Sequence, residues 1–179
     1  MHVPAHEWDA RLAADGPPNL LTVNEATIET DASGWNGGLN SACTVARSTA
    51  QAAEGVASLA ITSTAAASTI QAALLNAKPA TAGLPYAATA MWRAATAGAA
   101  PWIYIQFLDV NGANLGSTGN GAANDTTTGW TQASVVGTAP ASTTQARIWL
   151  NLWDQPVGTV HYVDQIGLFQ SATVPAWTP

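Results

Sequence analysis

Val160-His161-Tyr162-Val163-Asp164-Gln165-Ile166-Gly167-Leu168-Phe169 is the stretch whose reading decides the fold. Side chains repeat every second residue along a strand, so Val160, Tyr162, Ile166 and Leu168 are expected on one buried side. Asp164 falls on that same side. A carboxylate on an apolar face costs free energy unless it is paired or holds a cation. The strand therefore predicts a partner for Asp164 elsewhere in the chain, and Glu29 and Asp31 are the candidates.

Working outward, the same alternation recurs. Gly55–Thr62 reads as a strand with Ala57, Leu59 and Ile61 facing in. Ser68–Leu74 is rich in alanine, which favours helix by propensity, but β segments on both sides at regular spacing predict a strand. Tyr86, Ala88, Ala90 and Trp92 share one face of the next segment, with Thr89, Met91 and Arg93 on the other. In Trp102–Asp109 the core face is Ile103, Ile105 and Phe107, leaving Trp102, Tyr104 and Gln106 outward. Asn111-Gly112 is a tight hairpin turn. Residues 116–129 are Gly, Asn and Thr with little apolar content, and a long exposed loop is expected. Trp130–Val136 is a further strand. In Ala146–Trp153, Ile148, Leu150 and Leu152 face in, while Arg147, Trp149, Asn151 and Trp153 face out. Near the start, residues 19–24 and 27–31 are read as β segments. The pattern predicts an all-β domain.

The chain has 179 residues, enough for one domain with a substantial core. Only 9% are charged, against roughly a quarter in an average domain. A net charge of -6 with five Lys and Arg argues against a nucleic-acid backbone binder, which needs a basic stripe. No apolar run is long enough for membrane insertion, and no signal-peptide pattern opens the chain. Synthesis in a cytoplasm is expected, with the protein staying there unless it leaves as part of a larger particle. Cys43 is alone, so no internal disulfide forms. Residues 1–18 read as an N-terminal arm, with Trp8 and Leu12 on one side of a short helix stopped by Gly16-Pro17-Pro18. Such a helix is marginal alone and is either a frayed leader or a grip on a neighbouring subunit. Residues 19–172 form the domain and 173–179 a tail.

Catalytic signatures are absent from the sequence: there is no Gly-x-Ser-x-Gly, His-Glu-x-x-His or Cys-x-x-Cys. The glycines of 116–129 lack the lysine and following helix of a phosphate cradle. His161 is expected outward on its strand, and Asp109 and Asp125 solvated at loops.

Asn19-Leu20-Leu21, Ile28-Glu29, Gly34-Trp35, Gly55–Ile61, Tyr86–Arg93, Gly129-Trp130 and Tyr162–Leu168 stand in an order that resembles jelly-roll carbohydrate-binding modules of the xylan- and cellulose-binding type. The resemblance covers roughly residues 19–170 and implies a β-sandwich of two antiparallel sheets with a short N-terminal arm. Ala46–Ala52, Thr126–Trp130 and Ala176–Pro179 further resemble domains in virion proteins of actinobacteria-infecting phages, both minor tail proteins and add-ons to the virion surface. By that resemblance a structural calcium ion (Ca2+) is expected at Glu29 and Asp164, with oxygens near Asp31. Calcium takes six to eight oxygens, and carboxylates from distant segments suit it. The alternative is an Asp164 that accepts backbone N–H groups or pairs with arginine.

Sugar sites place aromatic rings against pyranose faces, with amides and charges nearby for the hydroxyls. Trp102, Tyr104, Gln106, Arg147, Trp149, Asn151 and Trp153 supply that chemistry, with Arg93 expected beside them. For any one tryptophan the alternatives are packing under a loop or a subunit interface. The expected function is a non-enzymatic virion structural protein, a capsid decoration protein whose sandwich contacts host-surface glycans. The chain length fits a stand-alone decoration protein. An adsorption module of a minor tail protein comes second and a glycan-processing enzyme third. Expected partners are other virion proteins, capsid or tail subunits, and host cell-surface polysaccharide; a homo-oligomer in the particle is also expected.

Overall fold

The computed structural model describes residues 16–37, 42–66 and 68–179. Trp8, Leu12 and most of the expected arm lie outside the described residues. One short helix, α1 (Val23–Thr27), precedes the strands β1 (Trp35–Asn36), β2 (Cys43–Ser48), β3 (Ser58–Ser63) and β4 (Ser68–Leu74). They are followed by β5 (Lys78–Pro79), β6 (Pro85–Ala94), β7 (Pro101–Leu108) and β8 (Asn114–Gly121). The chain ends with β9 (Thr131–Thr138), β10 (Gln145–Gln155) and β11 (Val160–Phe169).

Two antiparallel sheets face each other. One runs β1-β4-β10-β7-β8, with β5 also on β10; the other runs β2-β3-β11-β6-β9. The core between them is filled by the inward sets: Ile103, Ile105 and Phe107 from β7, Ile148, Leu150 and Leu152 from β10, and Tyr86, Ala88, Ala90 and Trp92 from β6. Tyr86 meets Phe107 edge to face at 5.9 Å, a favoured aromatic geometry. Cys43 is buried, and burial pushes its thiol up. The C-terminal tail is docked: Trp177 packs against the core and its indole N–H donates to the Ile166 carbonyl at 3.2 Å.

The structure corrects the sequence reading in three places. First, residues 22–28 are not β. Thr22 and Glu25 form a reciprocal capping box that starts α1, and Ile28 closes the helix in the left-handed region at φ 58°. Second, the expected 116–129 loop is half strand, because β8 pairs along β7 from Trp102↔Gly121 to Leu108↔Asn114. Third, β11 does not keep one buried face. His161 and Val163 are buried while Val160 and Tyr162 are half-buried. A bulge between Asp164 and Gly167, with Gln165 at φ 48°, then shifts the register, so that Ile166 and Leu168 join Val163 in the core. An extra residue in one strand has this effect. Asp164 therefore alternates with Val163 and belongs to the side facing away from the core.

Candidate functional site

The outward side of the β4-β10-β7-β8 sheet carries the polar and aromatic sets that alternate with the core. Cross-strand register brings them into rows. Trp149 on β10 lies between Tyr104 on β7 and Ala73 on β4, and Asn151 lies between Trp102 and Gln71. Arg147 faces Gln106. Strand β8 contributes small residues: Gly119 and Gly121 stand opposite Tyr104 and Trp102. A methyl group at Gly119 would overlap the Tyr104 ring, and one at Gly121 would stand 2.8 Å from Trp102 Cε2. The two rings therefore occupy the space above β8 that side chains would take. They stack on each other at 5.8 Å with planes 19° apart.

Beside them is a groove of about 380 Å³ lined by Gln71, Tyr104, Gln106, Ser117, Trp149, Asn151 and Trp153. Gln106 organises one end. Its Oε1 accepts from Arg147 Nε at 2.7 Å and from Trp149 Nε1 at 3.0 Å. This holds the guanidinium 5.4 Å from the centre of the Trp149 ring, within cation–π range. Trp153, 46% exposed, forms the rim. Burial pushes the Tyr104 phenol up, and its hydroxyl offers both a donor and an acceptor. The groove thus combines flat apolar rings with uncharged hydrogen-bonding groups, with the Arg147 cation beside Trp149, and no carboxylate lines it among the described residues.

Seven of the eight expected contact residues lie on this face; Trp102 contributes through its stack on Tyr104. Arg93 does not lie there. Strand β6 belongs to the opposite sheet, where Arg93 pairs across to Tyr162 and its Nη2 donates to the Thr127 carbonyl at 2.8 Å. Alternation alone cannot say which sheet a strand joins.

Glu29 and Asp164 meet around the 53–57 loop. Asp164 Oδ2 accepts from the N–H groups of Ala53 (2.7 Å) and Glu54 (3.1 Å), and its Oδ1 from Gln165 N–H (2.7 Å). Glu29 Oε1 accepts from Val56 (2.9 Å) and Ala57 (3.2 Å). Gly55, between the two pairs of donors, has φ +67°, and a Cβ there would overlap the Glu29 carboxylate; the turn requires glycine. Burial pushes the Asp164 carboxyl up, the Glu29 charge adds to this, and the loop's N–H groups oppose it.

Asp31 is turned elsewhere. Its Oδ1 accepts from Ser33 Oγ at 2.6 Å and Asn24 Nδ2 at 3.0 Å, and these bonds, Ser33's first, hold its carboxyl below the usual value. Among the described residues no three His, Cys, Asp or Glu side chains form a metal-holding group. Glu29 and Asp164 are the two expected calcium ligands that face one loop, and the carboxylate oxygens they turn to it accept from its N–H groups. The ion's other oxygens would have to come from the backbone, and the Glu29 carbonyl already accepts from Arg47 Nε at 3.1 Å.

A second pair escaped the sequence reading. His161 and Asp125, expected at the surface, are both sealed in the interior. His161 Nδ1 meets Asp125 Oδ2 at 2.7 Å and its Nε2 meets Gln155 Oε1 at 3.0 Å. Gln155 Nε2 donates to the Trp153 carbonyl at 2.6 Å, and Asp125 Oδ1 accepts from Ala99 N–H at 2.8 Å. The network fastens two loops to the end of β10. Since β11 and β10 occupy different sheets and Asp125 is distant in sequence, no local pattern signals it.

No family model matches the chain, and no curated protein sequence is similar to it. Solved structures do match in shape. The CBM22-1 xylan-binding domain from Paenibacillus barcinonensis Xyn10C is 15% identical, with a TM-score of 0.65 over 88% of this chain and 98% of that one. The C-terminal family 22 carbohydrate-binding module of Clostridium thermocellum Xyn10B is 16% identical, with a TM-score of 0.58 over 84% of this chain and 94% of that one. The enzymatically active domain of bacteriophage CBA120 tailspike protein 4 is 14% identical, with a TM-score of 0.64 over 86% of this chain but 21% of that one. In fold, the chain is a jelly-roll β-sandwich of the carbohydrate-binding-module type.

Proposed function

We propose that this protein is a non-enzymatic glycan-binding module of a virion surface, and that the groove over β4, β10, β7 and β8 is its sugar site. The observation that carries the reading is the side-by-side placement of Tyr104 and Trp149 with Gln71, Gln106 and Asn151 around one open groove. Rings in that setting bury the apolar faces of pyranoses, and amides meet their hydroxyls. A glycosidase needs two carboxylates facing one cleft. Among the described residues none lines this groove, Glu29 and Asp164 are engaged by a backbone loop, and the His161–Asp125 pair is closed to substrate.

The virion setting rests on the resemblance of Ala46–Ala52, Thr126–Trp130 and Ala176–Pro179 to phage virion domains. The fold likeness to a phage tailspike domain is compatible with it. Within that setting the module decorates the capsid, anchored by residues 1–18 and assembled as a homo-oligomer, and presents the groove to host polysaccharide. A calcium ion shared by Glu29 and Asp164 completes the proposal; two carboxylates turned to one short loop support it. Placement in a minor tail protein is the other outcome of the localisation test.

Affinity electrophoresis in host envelope polysaccharide tests the sugar site. Wild-type protein is retarded, and Trp149→Ala, shown to be folded by circular dichroism, is retarded far less. Equal retardation of both proteins would remove this face from consideration. Imaging of intact particles tests the setting: density on the capsid lattice supports decoration, and density only at the tail tip replaces it with adsorption.

A further inference from the structure

We infer that Asn151 is the specificity-determining residue of the groove, the group that distinguishes free ring hydroxyls from substituted ones. The inference rests on the glycan-binding reading above. Asn151 sits at the centre of the platform, between Gln71 and Trp102 across the strands and one row from Trp149. It lines the groove, yet it is only 4% exposed.

Its Oδ1 is buried at the groove wall and has no hydrogen-bond partner among the described residues. Buried polar atoms are nearly always paired, and one left alone costs stability. The neighbouring amide shows the contrast: Gln106 accepts two hydrogen bonds through one oxygen and is thereby held in place. No comparable bond holds the Asn151 oxygen among the described residues. An apolar residue there would complete the sheet face at lower cost, so an amide at this position is explained by a partner from outside the protein. A carboxamide turns about its terminal torsion, whose wells are broad, and so presents either its oxygen or its N–H groups to a ligand. A sugar ring lying on Trp149 brings its hydroxyls to that amide. An acetylated hydroxyl has lost its donor and gained bulk, so a chain substituted there is rejected.

The test uses Asn151→Leu and Trp149→Ala beside the wild-type protein, with xylohexaose and host envelope polysaccharide as probes, each native and O-acetylated. Wild-type protein is expected to bind a native chain at least tenfold more tightly than its acetylated form. Asn151→Leu is expected to keep or raise the melting temperature, to lose at least tenfold in affinity for the native chain, and to show a native-to-acetylated ratio close to one. A residue that merely supports the fold would lower the melting temperature, and that result overturns the inference. Wild-type affinity in Asn151→Leu, with binding lost in Trp149→Ala, also overturns it while leaving the groove as the sugar site. If the wild-type protein binds none of these chains, both readings fall together.

Discussion

The two sheets turn opposite kinds of surface outward. Over the β4-β10-β7-β8 sheet the alternate residues are rings and amides left open around a groove. Over the other sheet, Asp164 occupies an equivalent outward position on β11 but is 1% exposed, sealed where the 53–57 loop donates N–H groups to its carboxylate. The same period of two produced both surfaces. What separates them is whether a connecting segment covers the strand, and with it whether the outward residues meet ligand or backbone.

If the closed side is held by its carboxylates, Asp164→Ala has the largest effect on stability. It leaves the N–H groups of Ala53, Glu54 and Gln165 without their acceptor. A loss of about 3 kcal/mol, or roughly 10 °C in melting temperature, is expected by calorimetry. Glycan binding by the folded fraction should be unchanged, since this side is separate from the groove. Trp149→Ala should act on binding as well, with affinity roughly 30-fold weaker from about 2 kcal/mol of lost ring contact, and with some loss in melting temperature because the ring is mostly buried. A smaller effect is expected from Gly119→Ala. The added methyl displaces the Tyr104 ring, and isothermal titration should give binding weaker by about 1 kcal/mol.

Calcium and pH probe the closed side most finely. An ion that binds only the native state raises the melting temperature, so a chelator should lower it by a few degrees; an unchanged value would leave the backbone N–H groups as the sole partners of Asp164. The Asp164 carboxyl sits above its ordinary value of 3.8. Below 3.8 both folded and unfolded chains hold that proton, and the contribution is fully present. As pH rises through 3.8 the unfolded chain releases its proton first, so stability falls until the pH passes the folded value. Carbon-detected titration of Asp164 should show the raised midpoint without calcium. Added calcium, which favours the ionised form, should move it down.

Much of the open side was legible in the sequence because regular strands write both their faces. Ile148, Leu150 and Leu152 mark one side of β10, and Arg147, Trp149 and Asn151 then have to take the other. The closed side was less legible because it depends on irregular backbone. The bulge at Gln165 reverses the faces of β11, so the expected grouping of Val160 and Tyr162 with Ile166 and Leu168 fails there. The helix at Val23–Thr27 did leave a mark, since Thr22 followed by Glu25 is the spacing of a capping box. Glycines at 119 and 121 suggested a loop, whereas their lack of side chains makes room for the rings of the adjacent strand. Arg93 was misplaced because strand order, unlike strand face, is not written locally.

The most direct test follows the indole N–H signals of the eight tryptophans by NMR as xylohexaose or host envelope oligosaccharide is added. The groove predicts shifts at Trp149 and Trp153, with a smaller one at Trp102, while the buried Trp35 and Trp92 stay still. Shifts confined to the amides of the 53–57 loop and Gln165, with the groove tryptophans unmoved, would contradict it and transfer ligand binding to the other side of the sandwich.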